Sequence, residues 1–259
     1  MADPKSGGAQ TLERALMILD AVSTGAADLT ALSARTGLSR STTQRLAAAL
    51  TRLQYLRKAD GYRLGSKLIE LGYRAREQMP LVSLARPILE ELAKQTQDTV
   101  HLVVPDGDEV LYIDKLPGNR GLELRSRVGS RMPMAITGVG KALMLDFSED
   151  HWQRLHENAH AAAGGSPLSW EDYRDAMRRY VRQKVAFDFA ENEFGVRCVA
   201  APIRDAGGQI VAAISIAAAD HWMDIPRMEN LVPVVRGSAE TISHEIGWRL
   251  PRTVSGEQQ

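Results

Sequence analysis

The single cysteine, Cys198, is the first candidate for a catalytic nucleophile or a redox switch in this 259-residue sequence. A reactive cysteine needs a lowered thiol pKa and access to solvent. Cys198 instead opens an apolar segment, which favours a buried and unreactive thiol. We therefore expect no enzymatic activity, and we keep a small-molecule enzyme or a thiol redox sensor that uses Cys198 as the alternatives.

His156 and His160 are the best candidates for a metal site, because two histidines four residues apart on a helix can bind zinc. His151 lies nearby, but no third ligand falls on their face of the predicted helix, which favours surface histidines. Gly207 and Gly208 are not followed by the lysine and hydroxyl residue of a phosphate-binding loop, so they indicate a turn. The sequence thus predicts no metal and no cofactor.

Donors suited to a polyanion are concentrated between residues 39 and 63. Short hydroxyl and guanidinium groups at the start of a helix can approach phosphates, and Gln44 and Arg45 can reach base edges in a major groove. The candidate DNA-binding residues are Ser39, Arg40, Ser41, Thr42, Gln44, Arg45, Arg52, Arg57, Lys58 and Arg63. A solvated helix face with incidental arginines is the alternative.

Helical periodicity and turn residues predict the elements that hold these donors. Helices are expected over 11–23, over a short segment capped by Thr30, and from an N-cap at Ser39 to about Leu53, with Gly37 in the intervening turn. The inward face of the third helix is expected to consist of Thr43, Leu46, Ala47, Leu50 and Leu53. Two short helices around a glycine turn, with the second basic on its outer face, indicate a helix-turn-helix.

A basic hairpin is expected directly after the third helix. Residues 56–64 place apolar and basic side chains around an Asp60-Gly61 turn, which predicts the wing of a winged helix. The formal net charge of zero also divides unevenly. Residues 1–76 carry 12 Lys+Arg and 6 Asp+Glu, a net charge of +6, and the remainder carries −6. This asymmetry is expected when one part of a chain meets a polyanion.

The rest of the chain predicts a linker helix and an α+β domain with an antiparallel sheet, which gives domain boundaries of 1–65, 66–80 and 81–259. A helix over 81–97 contains Pro87, which either kinks it or marks its start. The other expected elements are strands at 100–105, 110–114, 122–128, 198–204 and 209–217, and helices at 138–146, 150–159, 170–184 and 227–249.

No segment predicts a membrane location. The longest apolar run, Ile210 to Ala219, is half of the roughly 20 residues that a spanning helix needs. The N-terminus lacks the apolar core of a signal peptide. One cysteine cannot form an internal disulfide bond, which fits a reducing compartment. We expect a cytoplasmic protein.

Three stretches together resemble the IclR-type bacterial transcription regulators. They are residues 37–46 (GLSRSTTQRL), 129–133 (GSRMP) followed by 138–142 (GVGKA), and 193–205 (EFGVRCVAAPIRD). The resemblance covers about residues 10–250. It implies a GAF/PAS-like effector domain, a homodimer or a dimer of dimers, and binding to short palindromic operators in double-stranded DNA. It further implies a response to small organic metabolites, often carboxylates.

The resemblance also implies the residues of an effector cavity, namely Met134, Thr137, Gly138, Val139, Asp188, Cys198 and Ser215. Backbone amides at residues 137–139 begin a helix, whose N-terminus can bind an anion. Ala135 stands where many family members carry histidine, and residues 216–219 lack a further hydroxyl group. These losses favour an aromatic or sugar acid over a glyoxylate-sized effector. For Val139 and Cys198, simple packing is the alternative.

Overall fold

A computed structural model describes residues 6–77, 80–120, 123–163 and 168–249. The chain divides into two units, Met1–Gln78 and Met79–Gln259. The helix predicted as a linker groups with the first unit.

The first unit is a winged helix-turn-helix. Its elements are α1 (Ser6–Ser23), α2 (Leu29–Thr36), α3 (Arg40–Arg52), β1 (Leu56–Ala59), β2 (Gly61–Leu64) and α4 (Ser66–Glu77). The two strands pair antiparallel and form the wing. Ile18, Leu32 and Leu56 are buried in one core that α1, α2 and α3 share with the hairpin.

Capping residues define the turn between α2 and α3. Asp28, rather than Thr30, is the N-cap of α2, and its carboxylate accepts hydrogen bonds from two amides of the first turn. The reason is position, because Asp28 directly precedes the first helical residue while Thr30 already lies inside the helix. Gly37 adopts the left-handed conformation with φ 67°, and Ser39 is the N-cap of α3.

Two further expectations for this unit are wrong in detail. Helix α1 begins at Ser6 rather than at Thr11. Leu53 is 56% exposed instead of facing inward. Helix α3 ends at Arg52, so Leu53 lies beyond the helical repeat that would have turned it toward the core.

The second unit is an α+β domain of GAF/PAS-like type, built on a six-stranded antiparallel sheet in the order β5-β4-β3-β8-β7-β6. Its strands are β3 (Thr99–Asp106), β4 (Glu109–Leu116), β5 (Arg131–Pro133), β6 (Ala186–Phe189), β7 (Val196–Arg204) and β8 (Ile210–Ala219). Its helices are α5 (Pro80–Thr96), α6 (Gly138–Leu143), α7 (Glu149–Ala163), α8 (Trp170–Gln183) and α9 (Ile225–Glu245).

Helices cover both faces of the sheet, which explains why β7 and β8 are apolar along their length. Neighbouring residues of a strand point to opposite faces. Asp188 and Cys198 face α6, whose first residue approaches the Cys198 sulfur. Phe187 faces the other way and lies beside Met228 of α9.

The segment 122–128, predicted as a strand, is irregular in its described part. Leu122 lies outside the described residues, and residues 123–128 form no strand. The backbone oxygens of Leu124 and Ser126 accept hydrogen bonds from Nζ of Lys115 at 2.9 and 2.8 Å. The Lys115 side chain therefore makes hydrogen bonds that a neighbouring strand would otherwise make to this segment. The short strand β5 pairs with β4 instead.

Helix α5 runs through Pro87, so this proline does not mark the start of the helix. The edge strand β6, which the sequence did not predict, follows α8 after one turn and has only four residues. Among the residues that the structure describes, no helix has the length and apolar character needed to cross a membrane.

Candidate nucleic-acid interface and ligand cavity

Helix α3 presents one apolar and one polar face. Thr43, Leu46, Ala47 and Leu50 are buried. The opposite face is exposed to solvent and carries Ser41, Gln44, Arg45, Ala48 and Arg52. Ser39 is also exposed, and its hydroxyl oxygen accepts a hydrogen bond from the amide of Thr42. The helix start is therefore fixed by a polar cap, and the predicted donors lie on one accessible surface.

Thr43 fixes the packing of α3 on α2. Its hydroxyl group lies 3.2 Å from that of Ser33 on α2 and donates a hydrogen bond to the backbone oxygen of Ser39. Arg40, one of the candidate DNA-binding residues, donates a hydrogen bond to the hydroxyl of Thr30 on α2. Arg40 thus contacts α2 in this structure, whereas Arg45 and Arg52 project from the outer face.

The wing adds three exposed cations, Arg57, Lys58 and Arg63. Arg57 and Arg63 lie directly opposite each other across the two strands. Like charges in this position repel each other unless an anion lies between them. The wing is anchored where the amide of Tyr62 donates a hydrogen bond to the backbone oxygen of Ala27 at 2.7 Å.

The described residues provide no ion-pair partner for the exposed cations of the wing. Among the described residues of the first unit, the ion pairs Lys67–Glu70 and Arg74–Glu70 lie on α4. Within the described part of the chain, the exposed cations of α3 and the wing that have neither a hydrogen bond nor an ion pair are Arg45, Arg52, Arg57, Lys58 and Arg63. Unpaired, exposed cations on one motif form the electrostatic surface expected for binding phosphates.

A cavity of about 40 Å³ lies between α6 and the sheet of the second unit. Six predicted effector residues line it, namely Thr137, Gly138, Val139, Asp188, Cys198 and Ser215. Met134 does not line it. Met134 belongs to the turn of 3₁₀ helix that packs into the main core, and it is 1% exposed, while Met132 of β5 lines the cavity instead.

His101 is the main cavity residue that sequence reasoning missed. It lies on β3 and is buried, with Nδ1 3.2 Å from Oγ of Ser215 and Nε2 2.8 Å from Oγ of Ser126. All three residues line the cavity. Burial, together with the ammonium group of Lys115, lowers the pKa of His101 to about 3, so its ring is neutral at neutral pH. A polar residue inside the apolar run of β3 is the only local signal of this role.

The carboxyl group of Asp188 is also buried against the cavity. Burial raises its pKa to about 6, and the ammonium group of Lys141 acts in the opposite direction. Its Oδ1 accepts a hydrogen bond from the amide of Glu191 at 2.8 Å. Burial likewise raises the pKa of the Cys198 thiol, which argues against a reactive thiolate.

The charged side chains around the cavity matter for the anion site that the sequence predicts at the start of α6. The described lining contains two carboxylates, Asp188 and Glu193, and no lysine or arginine. The ammonium group of Lys141 points away to form a buried ion pair with Glu191. The hydroxyl oxygen of Thr137 accepts a hydrogen bond from the amide of Gly140, which reduces the donors that the start of α6 offers to a ligand.

The histidine pair considered for zinc is not a surface pair. His156 is buried, and its Nε2 lies 3.3 Å from the backbone oxygen of Leu168. Its ring packs at 4.5 Å from that of Tyr173, because this face of α7 packs on α8. The side chain of His160 lies outside the described part of the chain. Within that part, no group of three or more potential ligands could hold a metal ion.

Comparison with known protein families finds a match for each of the two units. Residues 11–60 match the IclR helix-turn-helix domain, and residues 73–244 match the C-terminal domain of the bacterial transcriptional regulator IclR. The transcriptional regulator XynR of Escherichia coli K12 is 32% identical over 246 residues, which cover 92% of this chain and 98% of XynR.

Solved structures give the same result. The IclR protein of Thermotoga maritima is 27% identical, with a TM-score of 0.74 over 92% of this chain and 99% of its own. An IclR homolog of Microbacterium hydrocarbonoxydans, crystallised with 4-hydroxybenzoate, is 22% identical, with a TM-score of 0.75 over 91% of this chain and 98% of its own. The chain therefore belongs to the IclR family of bacterial transcriptional regulators.

Proposed function

We propose that this chain is a cytoplasmic, non-enzymatic transcription regulator that binds a palindromic operator in double-stranded DNA. The observation that carries the proposal is a set of five exposed cations on α3 and the wing that have neither an ion pair nor a hydrogen bond among the described residues. A helix of this kind inserts into the major groove, while a basic wing contacts the backbone. The buried Cys198 thiol, with its raised pKa, argues against the alternatives of an enzyme or a thiol sensor.

The proposed assembly is a homodimer or a dimer of dimers. A palindromic operator needs two copies of the helix-turn-helix, one for each half-site. Leu12 and Leu16 of α1 and Ile69 of α4 are large apolar side chains that are at least half exposed. Large exposed apolar residues on helices of a DNA-binding unit support contact with a second copy of the chain.

The proposed effector is a small organic molecule bound in the cavity of the second unit. The sequence favours an organic acid, aromatic or derived from a sugar, and a family member has been crystallised with 4-hydroxybenzoate. A volume of about 40 Å³ holds roughly three water molecules. An aromatic ring would therefore need the lining side chains to move on binding. Effector binding would bias the placement of the two DNA-binding units and so change operator affinity.

Fluorescence anisotropy with labelled DNA from the region adjoining the protein's own gene tests this function. We expect tighter binding to that DNA than to a scrambled duplex, and a binding constant that falls steeply with salt concentration. Equal binding to both duplexes, or binding that does not depend on salt, would refute the proposal. Turnover of a small molecule that is lost in Cys198→Ser would instead establish an enzyme.

A further inference from the structure

A second pocket of the second unit, with a volume of about 30 Å³, lies between α9 and β7. Three of its lining residues are cations. Lys184 directly follows α8, Arg204 lies on β7, and Arg236 lies on α9. Glu240 is the one carboxylate among the described lining residues. The excess of charge is therefore positive, opposite to that of the cavity beneath α6, and the two sites share no described lining residue.

Two of these three cations are available to a ligand. Nη1 and Nη2 of Arg204 donate hydrogen bonds to the carboxylate of Asp146 at 2.6 and 2.8 Å, so Arg204 already has a counter-charge. The side chains of Lys184 and Arg236 have neither a hydrogen bond nor an ion pair within the described part of the chain. Glu240 lies one turn after Arg236 on α9, and the two side chains form no ion pair with each other. Two cations without counter-ions on one pocket form a site for an anion.

The backbone of Lys184 adds a second observation. Lys184 is the C-cap of α8 and adopts the left-handed conformation with φ 55°. Glycine is the common residue at such a helix end, because a Cβ atom makes this conformation costly. Strain of this kind is concentrated at ligand sites, where the surroundings hold it in place. A lysine held here at that cost places its side chain on the pocket.

Trp248 provides an apolar wall for the same pocket. Its amide donates a hydrogen bond to the backbone oxygen of Ser243 at 2.8 Å, which folds the chain back after α9. Its own backbone oxygen lies 2.9 Å from Nδ1 of His244, and the rings of Trp248 and His244 pack at 5.2 Å. Pro202 of β7 also lines the pocket. A flat apolar group attached to an anion can therefore contact the indole ring.

We propose that this pocket binds the carboxylate or phosphate group of a small organic anion through Lys184 and Arg236, with the apolar part of the ligand against Trp248. A volume of about 30 Å³ holds roughly two water molecules, so the pocket takes the anionic group while the rest of the ligand lies at its mouth. Arg236 can bind two oxygens of one such group through its fork of donors, and Lys184 adds a point charge. This site is additional to the effector cavity and does not depend on operator binding.

Fluorine NMR of the full-length chain labelled with 5-fluorotryptophan tests the site. The four tryptophans give four signals, and Trp248→Phe identifies the signal of Trp248. Sodium benzoate, acetate and phosphate are each titrated against sodium chloride at constant ionic strength. We expect the Trp248 signal to shift saturably, with half-saturation on the order of 1–10 mM. Saturation by phosphate alone assigns the site to phosphate compounds, and saturation by the carboxylates alone assigns it to organic acids.

The same titrations measure the contribution of Trp248. Benzoate should reach half-saturation at a lower concentration than acetate, because only benzoate has a ring to pack on the indole. No tryptophan is among the described lining residues of the cavity beneath α6, so a benzoate molecule bound there lacks this contact. A Trp248 signal that follows ionic strength alone, or that saturates with none of the three anions, would overturn the proposal.

Two variants remove the cations while preserving the fold. Lys184→Gly takes away the ammonium group and relieves the left-handed strain, so the urea midpoint should not fall. Arg236→Gln keeps a long polar side chain on α9. Each should raise the half-saturating concentration at least about fivefold. Arg182→Ala, which removes an exposed cation of α8 outside the described lining, should leave it unchanged. Unchanged saturation in both Lys184→Gly and Arg236→Gln would overturn the proposal.

Contact with DNA is the other use of a basic pocket, and anisotropy distinguishes it. With labelled DNA from the region adjoining the protein's own gene, Lys184→Gly and Arg236→Gln should leave both the affinity and its dependence on salt unchanged. A smaller salt slope in these variants, without saturable binding of a small anion to the wild type, would assign the pocket to DNA and overturn the proposal. Because the fluorine titrations contain no DNA, failure of operator binding and failure of this site are measured separately.

Discussion

The α-carbon of Gly138 lies so close to Cys198 that a methyl group added to it would be 2.4 Å from the thiol sulfur. Real carbon–sulfur contacts are never this short without a shift of one group. Gly138 begins α6, and Cys198 lies on β7, so this contact sets how closely the helix approaches the sheet. Because both residues line the cavity, the same contact defines one of its walls.

Gly138→Ala should therefore destabilise the second unit by about 1–3 kcal/mol, since an added methyl group must displace the helix or the sulfur. All four tryptophans lie in this unit, so urea unfolding followed by tryptophan fluorescence reports on it alone. Adding Cys198→Ala removes the sulfur from the methyl group's position. The double variant should recover a large part of the loss.

Gly237→Ala is the matched control for that substitution. Gly237 lies inside α9, is exposed, and has no atom within 4 Å of an added methyl group. Alanine is favoured over glycine inside a helix, so the control should be neutral or stabilising by up to about 1 kcal/mol. If Gly138→Ala were equally harmless, the close approach of α6 to β7 would not constrain the fold.

Lys141 and Glu191 form an ion pair in which both side chains are almost completely buried. The Nζ atom also donates a hydrogen bond to the backbone oxygen of Phe187. Lys141→Met should cost about 3–5 kcal/mol in the same urea experiment, because it leaves Glu191 buried without a counter-charge. The double variant Lys141→Met, Glu191→Leu should cost clearly less, since neither charge remains.

The exposed ion pair Arg178–Glu149 provides the comparison. Its side chains are about half exposed, so Arg178→Ala should change the unfolding free energy by less than about 1 kcal/mol. A Lys141→Met variant that resembled Arg178→Ala would mean that water reaches the Lys141–Glu191 pair.

His101 and Asp188 should make opposite contributions to stability as the pH changes. Asp188 has a folded-state pKa of about 6 against an ordinary value of 3.8, so the folded state holds more protons between these values. Its contribution to the free energy of unfolding therefore falls as pH rises from about 4 to 6. His101 has a folded-state pKa of about 3 against 6.5, so its contribution rises with pH over that window.

Removing either group should leave the effect of the other on the pH dependence of stability uncompensated. Between pH 4 and 6, stability should rise more steeply with pH in Asp188→Asn than in the wild type, by about 2–3 kcal/mol over the window. In His101→Gln it should rise less steeply or fall. The exposed Glu229→Gln serves as the control. Parallel curves for all four proteins, measured by urea unfolding at each pH, would mean that neither group is shielded from water.

Local signals predicted most of the first unit, and long-range contacts explain what was missed in the second. The cap at Ser39, the turn at Gly37 and the period of α3 involve residues close together in sequence. Ser126 and Ser215 lie 25 and 114 residues from His101, so no spacing in the sequence marks them as partners.

Of the seven cavity residues that the family resemblance implies, six line the cavity and Met134 does not. The reason is again a contact that the sequence does not reveal. Met134 and Met132 are neighbours on one short segment, yet only Met132 lines the cavity. Which of the two lines the cavity depends on the turn of 3₁₀ helix that begins at Met134. The strand predicted over 122–128 failed because Lys115 binds its backbone oxygens, a contact that alternation of residue types does not reveal.

Arg45 and Lys58 should contribute differently to DNA binding because they lie on different parts of the motif. Arg45 is exposed on the outer face of α3. In the proposed complex this side chain would reach base edges in the major groove. Arg45→Ala should weaken binding to the preferred duplex by about 1–3 kcal/mol while changing binding to scrambled DNA much less. Anisotropy titrations with both duplexes measure the difference.

Lys58 lies on the wing, and its ammonium group has no protein partner among the described residues. A cation that contacts phosphates carries no sequence information, so Lys58→Ala should weaken binding to both duplexes about equally. It should also reduce the slope of log K against log salt by about 1, since one fewer counterion is released. Arg182→Ala, an exposed cation on α8 of the second unit, should change neither quantity. If Lys58→Ala altered sequence preference and Arg45→Ala did not, the wing rather than α3 would read the operator.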